Sequence, residues 1–443
     1  MLGCVRPRPC AVALLSLSVF LGYCCQSLAQ QDNHRRIFGA YFEEWGVHQA
    51  GYNIADVEKS GVAGELGYLI YAFGNVTPGS TPACAIADPV TAYRDASLPS
   101  VNGKPFVAPV YGNFGAILQL KQLHPKLKVL ISLGGQLGDP SGWVAAAQTP
   151  AGRAALASSC IDLFVKGNFA PGIEAPGVFD GFNIDWEFPG PGDKENFTSL
   201  LKEFRAQLNV LSMTTGKRYV LSFDSPAFAK NYANIDLKAA AAQVDFLTID
   251  GYDYAGQSDK QTNEQSPLYE AQNNPVRAQS MSIDETVKAY LDAGVPPSKY
   301  LMGFPLYAVG WAGVPSVNHG LYQSSTAAPP VLLADGSGLC PHPDKANPSP
   351  GCDHLLTPGN LTYSTIKNLI NKNGYTAWFD AERKEATLYN PAKETFYTYD
   401  DPASVAAKTA YIRKHKLGGA YVWVLGQDDA DGSLTKAIAT GVK

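Results

Sequence analysis

The sequence lacks an excess of positive charge, since its 35 lysine and arginine residues stand against 40 acidic ones and the net charge is −5. A protein that binds nucleic acid needs a basic surface, so we expect no nucleic acid among its partners. The 7 histidines follow no metal-ligand spacing, and no glycine-rich phosphate loop follows an early strand. These absences predict neither a metal site nor a nucleotide cofactor. The sequence also has no tandem repeat and no Ser/Thr/Pro-rich linker, and we expect a monomer without a separate terminal binding module.

After residue 30 the sequence has no apolar run long enough to cross a bilayer. Before it, Arg6 and Arg8 precede the apolar run AVALLSLSVFLGYCC (11–25) and the small residues of SLAQ, which permit cleavage after Ala29. A run of about 15 residues is shorter than the roughly 20 that a spanning helix needs, which disfavours a membrane anchor. The sequence therefore predicts a secretory signal over residues 1–29 and a secreted, extracellular protein without membrane association after its removal. Cleavage would remove two arginines and no acid, which changes the net charge from −5 to −7.

Half of the 8 cysteines leave with the predicted signal, and those that remain are Cys84, Cys160, Cys340 and Cys352. In a secreted protein, disulfides are a better explanation of such residues than free thiols or a metal site. Three pairings are possible. Cys340 and Cys352 lie in the same Pro/Gly-rich loop, so we predict that they pair with each other, which leaves Cys84 for Cys160. Three Asn-x-Thr triplets predict N-glycosylation of the secreted protein, at Asn75, Asn196 and Asn360.

Short apolar runs alternate with amphipathic helical stretches along the remaining chain. Eight runs have the length and composition of β-strands, at residues 36–42, 67–75, 127–135, 179–187, 218–227, 244–253, 299–307 and 418–426. A strand and a helix repeated eight times predict an α/β fold, a parallel (β/α)8 barrel of the TIM type. The alternative, an open doubly wound sheet, is disfavoured because its phosphate-binding loop is missing.

Two connections are too long for simple crossovers, at about residues 76–112 and 312–410. The second opens with a Pro-rich loop and continues with a helical pattern and short aromatic strands. This pattern predicts a small α+β insertion between strands seven and eight. The predicted organisation is a signal at 1–29, barrel strands one to seven at 30–311, the insertion at 312–410, and strand eight with a final helix at 411–443.

The stretch GVFDGFNIDWEFPG (177–190) alternates strictly between apolar and polar residues. On a β-strand such residues point to opposite faces, so Asn183, Asp185 and Glu187 lie on one face, with the two acids about 7 Å apart. Trp186 and its apolar neighbours then face the helices. Strands of parallel barrels are normally apolar on both faces, and unpaired buried carboxylates are costly, so two acids here indicate a functional site. Glu187 comes last, nearest the C-terminal rim, where the active sites of these barrels lie.

Two neighbouring acids in a partly dry site raise the pKa of one of them, which keeps a proton available near neutral pH. That proton suits Glu187 for general acid catalysis at a leaving oxygen. Glycosidases that use two carboxylates place them on opposite sides of the scissile bond, about 5–9.5 Å apart. Asp185 and Glu187 come from one strand and one side. The nucleophile would therefore come from the substrate, as a 2-acetamido group can, with Asp185 orienting that group.

The segment DGFNIDWE (180–187) resembles the D-G-x-D-x-D-x-E signature of family 18 glycoside hydrolases, the chitinases, with Asn183 at the second acid position. Asp180, on the opposite face, is expected to brace the strand. The insertion is similar to the module that deepens the substrate groove in chitinases of the more processive type. Further segments resemble the family in order along the chain: GAYFEEWGV (39–47), YAFGNV (71–76), SLGG (132–135), GYDYAG (251–256), GFPLYAVGW (303–311) and GGAYVWVLGQDD (418–429).

The resemblance implies a role for each matching residue. Glu187 is the expected general acid and then base, Asp185 orients the acetamido group, and Asn183 is its neighbour in the barrel. Tyr252 is expected to hydrogen-bond the acetamido oxygen, and Asp253 to hold nearby sugar hydroxyls. Aromatic candidates for the substrate groove are Trp423, which would lie under the distorted sugar, and Tyr41, Trp45, Phe73 and Trp311.

Where the family usually has Trp, Met or Gln, Arg and Glu, this sequence has Gln136, Asp250, Val309 and Val424. These departures concern the outer subsites and, at Asp250, add an acid close to Tyr252. We predict a retaining chitinase that cleaves β-1,4 bonds between N-acetylglucosamine units. The alternatives are an endo-β-N-acetylglucosaminidase acting on N-glycans and a catalytically silent lectin on the same barrel. The insertion favours chitin, and the presence of both acids with Tyr252 favours an enzyme over a lectin.

Overall fold

The structure is a computed structural model that describes residues 1, 3 and 36–443, apart from residues 80, 137, 273, 276, 278–280, 346 and 347. Residues Arg36–Lys443 form one compact unit. The predicted signal, residues 1–29, lies outside the described residues except for positions 1 and 3. Within the described part of the chain, no helix is both long enough and apolar enough to cross a membrane.

Eight parallel strands close into a barrel. Each strand pairs with the next one along the chain, and the first also pairs with the eighth, which closes the ring. The predicted runs coincide with these strands, so the predicted (β/α)8 barrel is confirmed. In chain order the strands are Ile37–Glu43, Tyr68–Val76, Lys128–Gly134, Gly181–Asp185, Val220–Ser225, Phe246–Ile249, Tyr300–Pro305 and Gly419–Trp423.

Helices cover the outside of the barrel. The 22-residue helix Lys194–Thr215 shows why these segments fold as they do: Phe197, Leu201 and Phe204 recur at helical spacing and are buried against the barrel. It ends at Gly216, whose φ of 69° suits a glycine cap. The principal helices are Ile54–Lys59, Gly112–Leu123, Pro140–Ala147, Pro150–Cys160, Lys194–Thr215, Leu237–Gln243, Ile283–Asp292, Pro402–Lys414 and Ser433–Val442.

The fourth barrel strand, Gly181–Asp185, has the two faces that its alternation predicts. Just beyond it, Trp186 points outward and stacks on Trp143, with ring centroids 6.0 Å apart. Asn183 and Asp185 lie inside the barrel, where they are 0% and 4% exposed. The polar residues of the strand are therefore collected on the inner face.

Asp180 anchors the start of this strand to its neighbours. Its Oδ2 accepts a 2.7 Å hydrogen bond from Lys121 Nζ and a 2.8 Å bond from the backbone N–H of Val129. Lys128 lies 3.3 Å from the other carboxylate oxygen. Asp180 thus braces the strand from the side away from the barrel interior.

A second sheet is inserted between the seventh barrel strand and the helix before the eighth. Its first strand begins at Tyr307 rather than at the predicted residue 312. The difference arises because the seventh strand ends at Pro305 and the chain enters the new sheet within one continuous apolar segment. The predicted end at 410 falls inside the helix Pro402–Lys414, which packs on the final helix of the barrel. The insertion contains the antiparallel strands Tyr307–Ala312, Asn360–Thr362, Thr376–Asp380, Glu385–Asn390 and Thr395–Tyr399 and the helix Tyr363–Leu369.

Buried ion pairs join the insertion to the barrel. Arg383, in a turn of the insertion, lies 2.6 Å from Glu264 in the loop after the sixth barrel strand, and neither side chain is exposed. Lys408, on the helix before the eighth strand, pairs with Asp400 and donates a 2.6 Å hydrogen bond to Ser266 Oγ. Breaking either pair would leave a charge in a dry environment, so these contacts fix the insertion against the barrel.

Both predicted disulfides are present. Cys84, in the connection after the second barrel strand, pairs with Cys160 at the end of a barrel helix. Cys340 pairs with Cys352 inside the Pro/Gly-rich loop of the insertion. Each bridge ties down a connection that has little regular structure of its own.

Candidate active site

Asn183 lies at the centre of a hydrogen-bond network inside the barrel. Its Oδ1 accepts 2.9 Å bonds from Tyr41 Oη and Ser132 Oγ, and its Nδ2 donates to Ser222 Oγ at 3.0 Å. The same amide donates to Thr248 Oγ1 at 3.3 Å. The four partners belong to the first, third, fifth and sixth strands. The fourth strand is therefore held in register from both sides by buried groups.

Asp185 is the next residue on the inner face, and its two carboxylate oxygens have different surroundings. Ser132 Oγ donates to Oδ2 at 3.4 Å, and the Glu187 carboxyl group lies within hydrogen-bonding reach of Asp185. Among the described residues, no N–H or hydroxyl group donates to the buried Oδ1. Burial raises the pKa of Asp185 to about 7, and the charge of Asp250 adds to the effect. A buried acceptor of this kind is suited to an N–H group of a ligand.

Glu187 follows the end of the strand and lies, partly buried, at the C-terminal rim of the barrel. Burial raises the pKa of its carboxyl group to about 9, with further contributions from the charges of Asp185 and then Asp250. Glu187 therefore holds a proton at neutral pH. A protonated carboxylic acid at the rim can protonate an oxygen atom of a ligand bound there.

The third strand approaches Asp185 closely at its C-terminal end. Gly134 has a φ of 116°, and a Cβ atom there would lie 2.0 Å from the Asp185 carbonyl oxygen. That carbonyl accepts a 2.9 Å hydrogen bond from the backbone N–H of Gly135. Only glycine fits this position, so the two glycines of SLGG shape the turn beside the acids, while the Ser132 hydroxyl donates toward Asn183 and Asp185.

Two further carboxyl groups, for which the sequence predicts no catalytic role, lie near these acids. Asp224 Oδ1, from the fifth strand, accepts a 2.9 Å bond from Thr248 Oγ1. Asp250, directly after the sixth strand, accepts a 2.9 Å bond from Tyr421 Oη. Burial raises the pKa of Asp224 well above its usual value and that of Asp250 to about 7. The signal for Asp224 was present in LSFDSPA, where Ser222 and Asp224 alternate with apolar residues as in the fourth strand.

Tyrosine hydroxyl groups complete the polar lining of the site. Tyr252 Oη lies 3.2 Å from Tyr421 Oη, and Tyr307 Oη donates to Asp253 Oδ1. Burial raises the pKa of Tyr252 and Tyr421 well above the usual value, so both hydroxyl groups keep their hydrogens. Asp253 is exposed and available to a ligand. Tyr307 and Tyr421 were missed because aromatic residues within apolar strands are normally core residues.

Three of the predicted groove aromatics form one surface. The Phe73 ring stacks between Trp45 and Trp423, with centroid distances of 5.7 and 5.9 Å. Trp45 is 36% exposed, and Phe73 and Trp423 are partly exposed. Because the apolar face of a pyranose packs well on an aromatic ring, this surface suits a sugar chain.

The other two predicted groove aromatics, Trp311 and Tyr41, are not available to a substrate. Trp311 has no exposed surface, and its Nε1 donates to the carbonyl oxygen of Asp259 at 3.1 Å. It belongs to the first strand of the insertion and is a core residue there. Tyr41 is 1% exposed and donates its hydroxyl hydrogen to Asn183. It therefore supports the site from inside the barrel.

The remaining departures from the family pattern have different positions. Val309 and Val424 are 3% and 0% exposed, so neither presents a side chain to the cleft. Gln136 is exposed beside the SLGG turn. Asp250 is thus the departure that contributes to the polar lining of the site.

Comparisons with known proteins agree with this geometry. The family model for glycosyl hydrolases family 18 matches residues 37–428. Chitinase A1 of Niallia circulans is 30% identical over 94% of this chain and 60% of its own length. Chitinase A of Pseudoalteromonas piscicida is 28% identical over 89% of this chain and 51% of its own, so this chain spans 51–60% of those two relatives.

A solved structure is also similar to this chain. The catalytic domain of psychrophilic chitinase B from Arthrobacter TAD20 has a TM-score of 0.79 and is 30% identical, covering 92% of this chain and 95% of that one. The family model extends over the barrel and the insertion together. The chain therefore belongs to family 18 of the glycosyl hydrolases.

Proposed function

We propose that the protein is a secreted chitinase, which hydrolyses β-1,4 bonds between N-acetylglucosamine units of chitin or chito-oligosaccharides with retention of configuration. The observation that carries this proposal is the placement of Asp185 and Glu187 side by side at the C-terminal end of the fourth strand, where no N–H or hydroxyl group of the described residues donates to Oδ1 of Asp185. The relatives named as chitinases support the substrate class.

The first step uses the proton that Glu187 holds. Glu187 transfers this proton to the glycosidic oxygen, and the bond between that oxygen and C1 breaks. The carbonyl oxygen of the 2-acetamido group forms a new bond to C1 from the opposite face of the sugar. Asp185 accepts the acetamido N–H through Oδ1 and stabilises the positive charge that this group acquires. Tyr252 donates its hydroxyl hydrogen to the acetamido oxygen and so holds it in line with C1.

The second step releases the sugar. Glu187, now ionised, takes a proton from a water molecule as the water oxygen bonds to C1 and the acetamido oxygen leaves. Two inversions at C1 give net retention. The position of Asp185 supports this route, because a carboxylate on the same strand as the acid is badly placed to attack the far face of the sugar.

Substrate contacts follow from the surface around the acids. Trp423, Phe73 and Trp45 pack against apolar sugar faces, and Asp253 accepts hydrogen bonds from sugar hydroxyls. The insertion resembles the module that deepens the substrate groove in chitinases of the more processive type, which favours a linear polymer. The protein acts as a monomer with no cofactor.

Secretion rests on the N-terminal segment and on the two disulfides, which are typical of oxidising compartments. Among the three glycosylation candidates, Asn75 is exposed, whereas Asn196 and Asn360 are partly buried. The Oδ1 atom of Asn360 also accepts a hydrogen bond from Gln257. Asn75 is therefore the first position at which a glycan is expected.

Hydrolysis of fluorogenic di- and trisaccharides of N-acetylglucosamine tests the proposal, with wild type, Glu187→Gln and Glu195→Gln compared. Glu195 is exposed in the first turn of the following helix and serves as the matched control. We expect Glu187→Gln to lower kcat by about 10²–10⁴-fold while oligosaccharide binding is kept, and Glu195→Gln to behave as wild type. NMR of the first product is expected to show the β anomer.

Two results would contradict the proposal. Oligosaccharide binding without turnover by the wild type would indicate a lectin. Turnover of N-glycans without turnover of chito-oligosaccharides would indicate an endo-β-N-acetylglucosaminidase.

A further inference from the structure

Tyr252, Tyr421 and Asp250 form a chain of hydrogen bonds beside the acids. Tyr421 Oη donates to Asp250 Oδ1 at 2.9 Å, and the Tyr252 and Tyr421 oxygens are 3.2 Å apart. A tyrosine hydroxyl group has one hydrogen to donate. Because the hydrogen of Tyr421 is directed to Asp250, the contact between the two tyrosines requires Tyr252 to donate to Tyr421. The Tyr252 hydroxyl also lies within hydrogen-bonding reach of the Asp250 carboxylate. While Asp250 is ionised, the single hydrogen of Tyr252 is therefore directed to Tyr421 or to Asp250, and in both cases away from the substrate.

This arrangement conflicts with the role proposed for Tyr252. To hold the acetamido oxygen, Tyr252 must donate its hydrogen into the cleft, but an ionised Asp250 draws that hydrogen toward the protein. The conflict is removed if Asp250 carries a proton. Asp250 then donates to Tyr421, Tyr421 donates to Tyr252, and the hydrogen of Tyr252 is free to point at the substrate.

We propose that Asp250 is a positioning residue, whose protonation reverses the Tyr252–Tyr421–Asp250 chain and presents the Tyr252 hydroxyl hydrogen to the acetamido oxygen. This inference rests on the proposed function. One proton is taken from solvent by the Asp250 carboxylate, and the hydroxyl hydrogens of Tyr421 and Tyr252 rotate to their new acceptors. No bond to the sugar forms or breaks in this step.

The surroundings of Asp250 favour such a proton. The carboxyl groups that interact with it are Asp185 and Glu187 from the fourth strand, Asp224 from the fifth and Asp253 from its own loop. The hydroxyl groups that face it, besides those of Tyr252 and Tyr421, include Tyr41 and Tyr307. Burial raises the pKa of Asp250 to about 7, while the hydrogen bonds from Tyr252 and Tyr421 limit the rise. Asp250 is therefore present in both its ionised and its protonated form near neutral pH, and so are both directions of the hydrogen-bond chain.

Binding of the N-acetylglucosamine trisaccharide tests the inference in a Glu187→Gln background, where the substrate is not consumed. Calorimetry between pH 5.5 and 8.5 in two buffers of different ionisation enthalpy measures both affinity and proton uptake. We expect the affinity to fall roughly tenfold between pH 6 and pH 8 and protons to be taken up on binding at pH 7.5, because the competent state must then be populated by the ligand.

Two variants in the same background assign this dependence. Asp250→Asn keeps an N–H donor directed at Tyr421, so its affinity is expected to lose the fall above pH 7. Tyr252→Phe keeps Asp250 and its charge but removes the hydroxyl group that the chain positions, so it is expected to bind weakly and to lose the same part of the pH dependence. Tyr219→Phe, whose hydroxyl group donates to Thr215 just before the fifth strand, is the matched control and should keep it. Asp185 is present in every variant and contributes a common baseline.

The outcomes separate the inference from the proposed function. A pH dependence that survives either Asp250→Asn or Tyr252→Phe would overturn the inference. Survival in Asp250→Asn would mean that another group titrates, and survival in Tyr252→Phe would mean that Asp250 acts only through its charge. Affinity independent of pH in the parent protein would overturn it as well. Failure of the wild type to hydrolyse or bind the trisaccharide would instead overturn the proposed function.

Discussion

Arg383 and Glu264 lie 2.6 Å apart as an ion pair in which both side chains are completely buried. One belongs to the insertion and the other to the loop that follows the sixth barrel strand. The guanidinium group of Arg383 also donates to Asn263 Oδ1 at 2.7 Å and to Tyr322 Oη at 2.8 Å. The position of the insertion thus depends on a buried ion pair that joins it to the barrel.

Arg383→Ala is expected to lower the free energy of unfolding by about 3–5 kcal/mol, because it leaves the Glu264 carboxylate buried without a partner. Urea unfolding of the purified protein measures this loss. Arg413→Ala is the control, since Arg413 is exposed on the helix before the eighth strand, and a change within about 0.5 kcal/mol is expected. Equal stabilities of the two variants would contradict the importance of the pair.

The stability of the fold should decrease as pH rises through the range in which Glu187 titrates. Its folded-state pKa of about 9 lies above the ordinary value of 4.5, so the folded protein binds the proton more tightly than the unfolded chain does. Stability is then highest below about pH 4.5 for this group and declines toward pH 9. Glu187→Gln should therefore lose less stability than the wild type between pH 5 and pH 8, by about 1–3 kcal/mol.

Denaturant unfolding at the two pH values gives this difference. The control, Glu195→Gln, should follow the wild type. If Glu187→Gln and wild type lost the same stability over this interval, the raised pKa of Glu187 would be incorrect.

Replacement by alanine should affect different properties at two tryptophans, substrate turnover at Trp423 and stability at Trp311. Trp423→Ala removes part of the aromatic surface and is expected to lower kcat/KM for the trisaccharide at least about tenfold, a loss of about 1.4 kcal/mol, with a modest effect on stability. Trp311→Ala empties a core position and is expected to lower the free energy of unfolding by about 3–5 kcal/mol. Kinetics below the unfolding temperature and thermal unfolding distinguish the two effects. A specific loss of substrate affinity in Trp311→Ala would restore that residue to the groove.

Removal of the two disulfides should destabilise the protein to different extents. The pair Cys84–Cys160 closes a separation of 76 residues, and Cys340–Cys352 closes one of 12. Chain entropy predicts losses of about 4–5 and about 3 kcal/mol when each pair is replaced by serine. Calorimetric unfolding of the two double variants measures the order, and a larger loss from the shorter loop would show that contacts outside chain entropy dominate.

The sequence predicted the fold well because its signals are local. Strict alternation in the fourth strand placed Trp186 outside and Asp185 inside, and a single strand is enough to decide this. The eight runs and the intervening amphipathic segments likewise needed no knowledge of distant contacts. Only the closure of the barrel depends on pairing between distant segments, the first and eighth strands. We predicted that pairing from the barrel class and not from a local pattern.

The residues that the sequence predicted wrongly or did not reveal owe their roles to contacts between distant segments. Trp311 follows the seventh strand in one apolar run, and nothing local indicates that the chain leaves the barrel at Pro305. Tyr421 is a typical core residue by pattern, and its hydroxyl acquires a purpose only because the barrel brings it to Asp250. Asp224 carried a visible signal, but its importance depends on Thr248 from the neighbouring strand.

The amide of Asn183 joins groups from four other strands before any sugar is present. The entropy of ordering the strand that carries the acids is therefore lost when the chain folds, and binding of a sugar does not have to supply it. Asp185 and Glu187 are therefore held in place before a sugar binds. Contact energy from the aromatic surface then remains available for distorting the sugar ring toward its transition state.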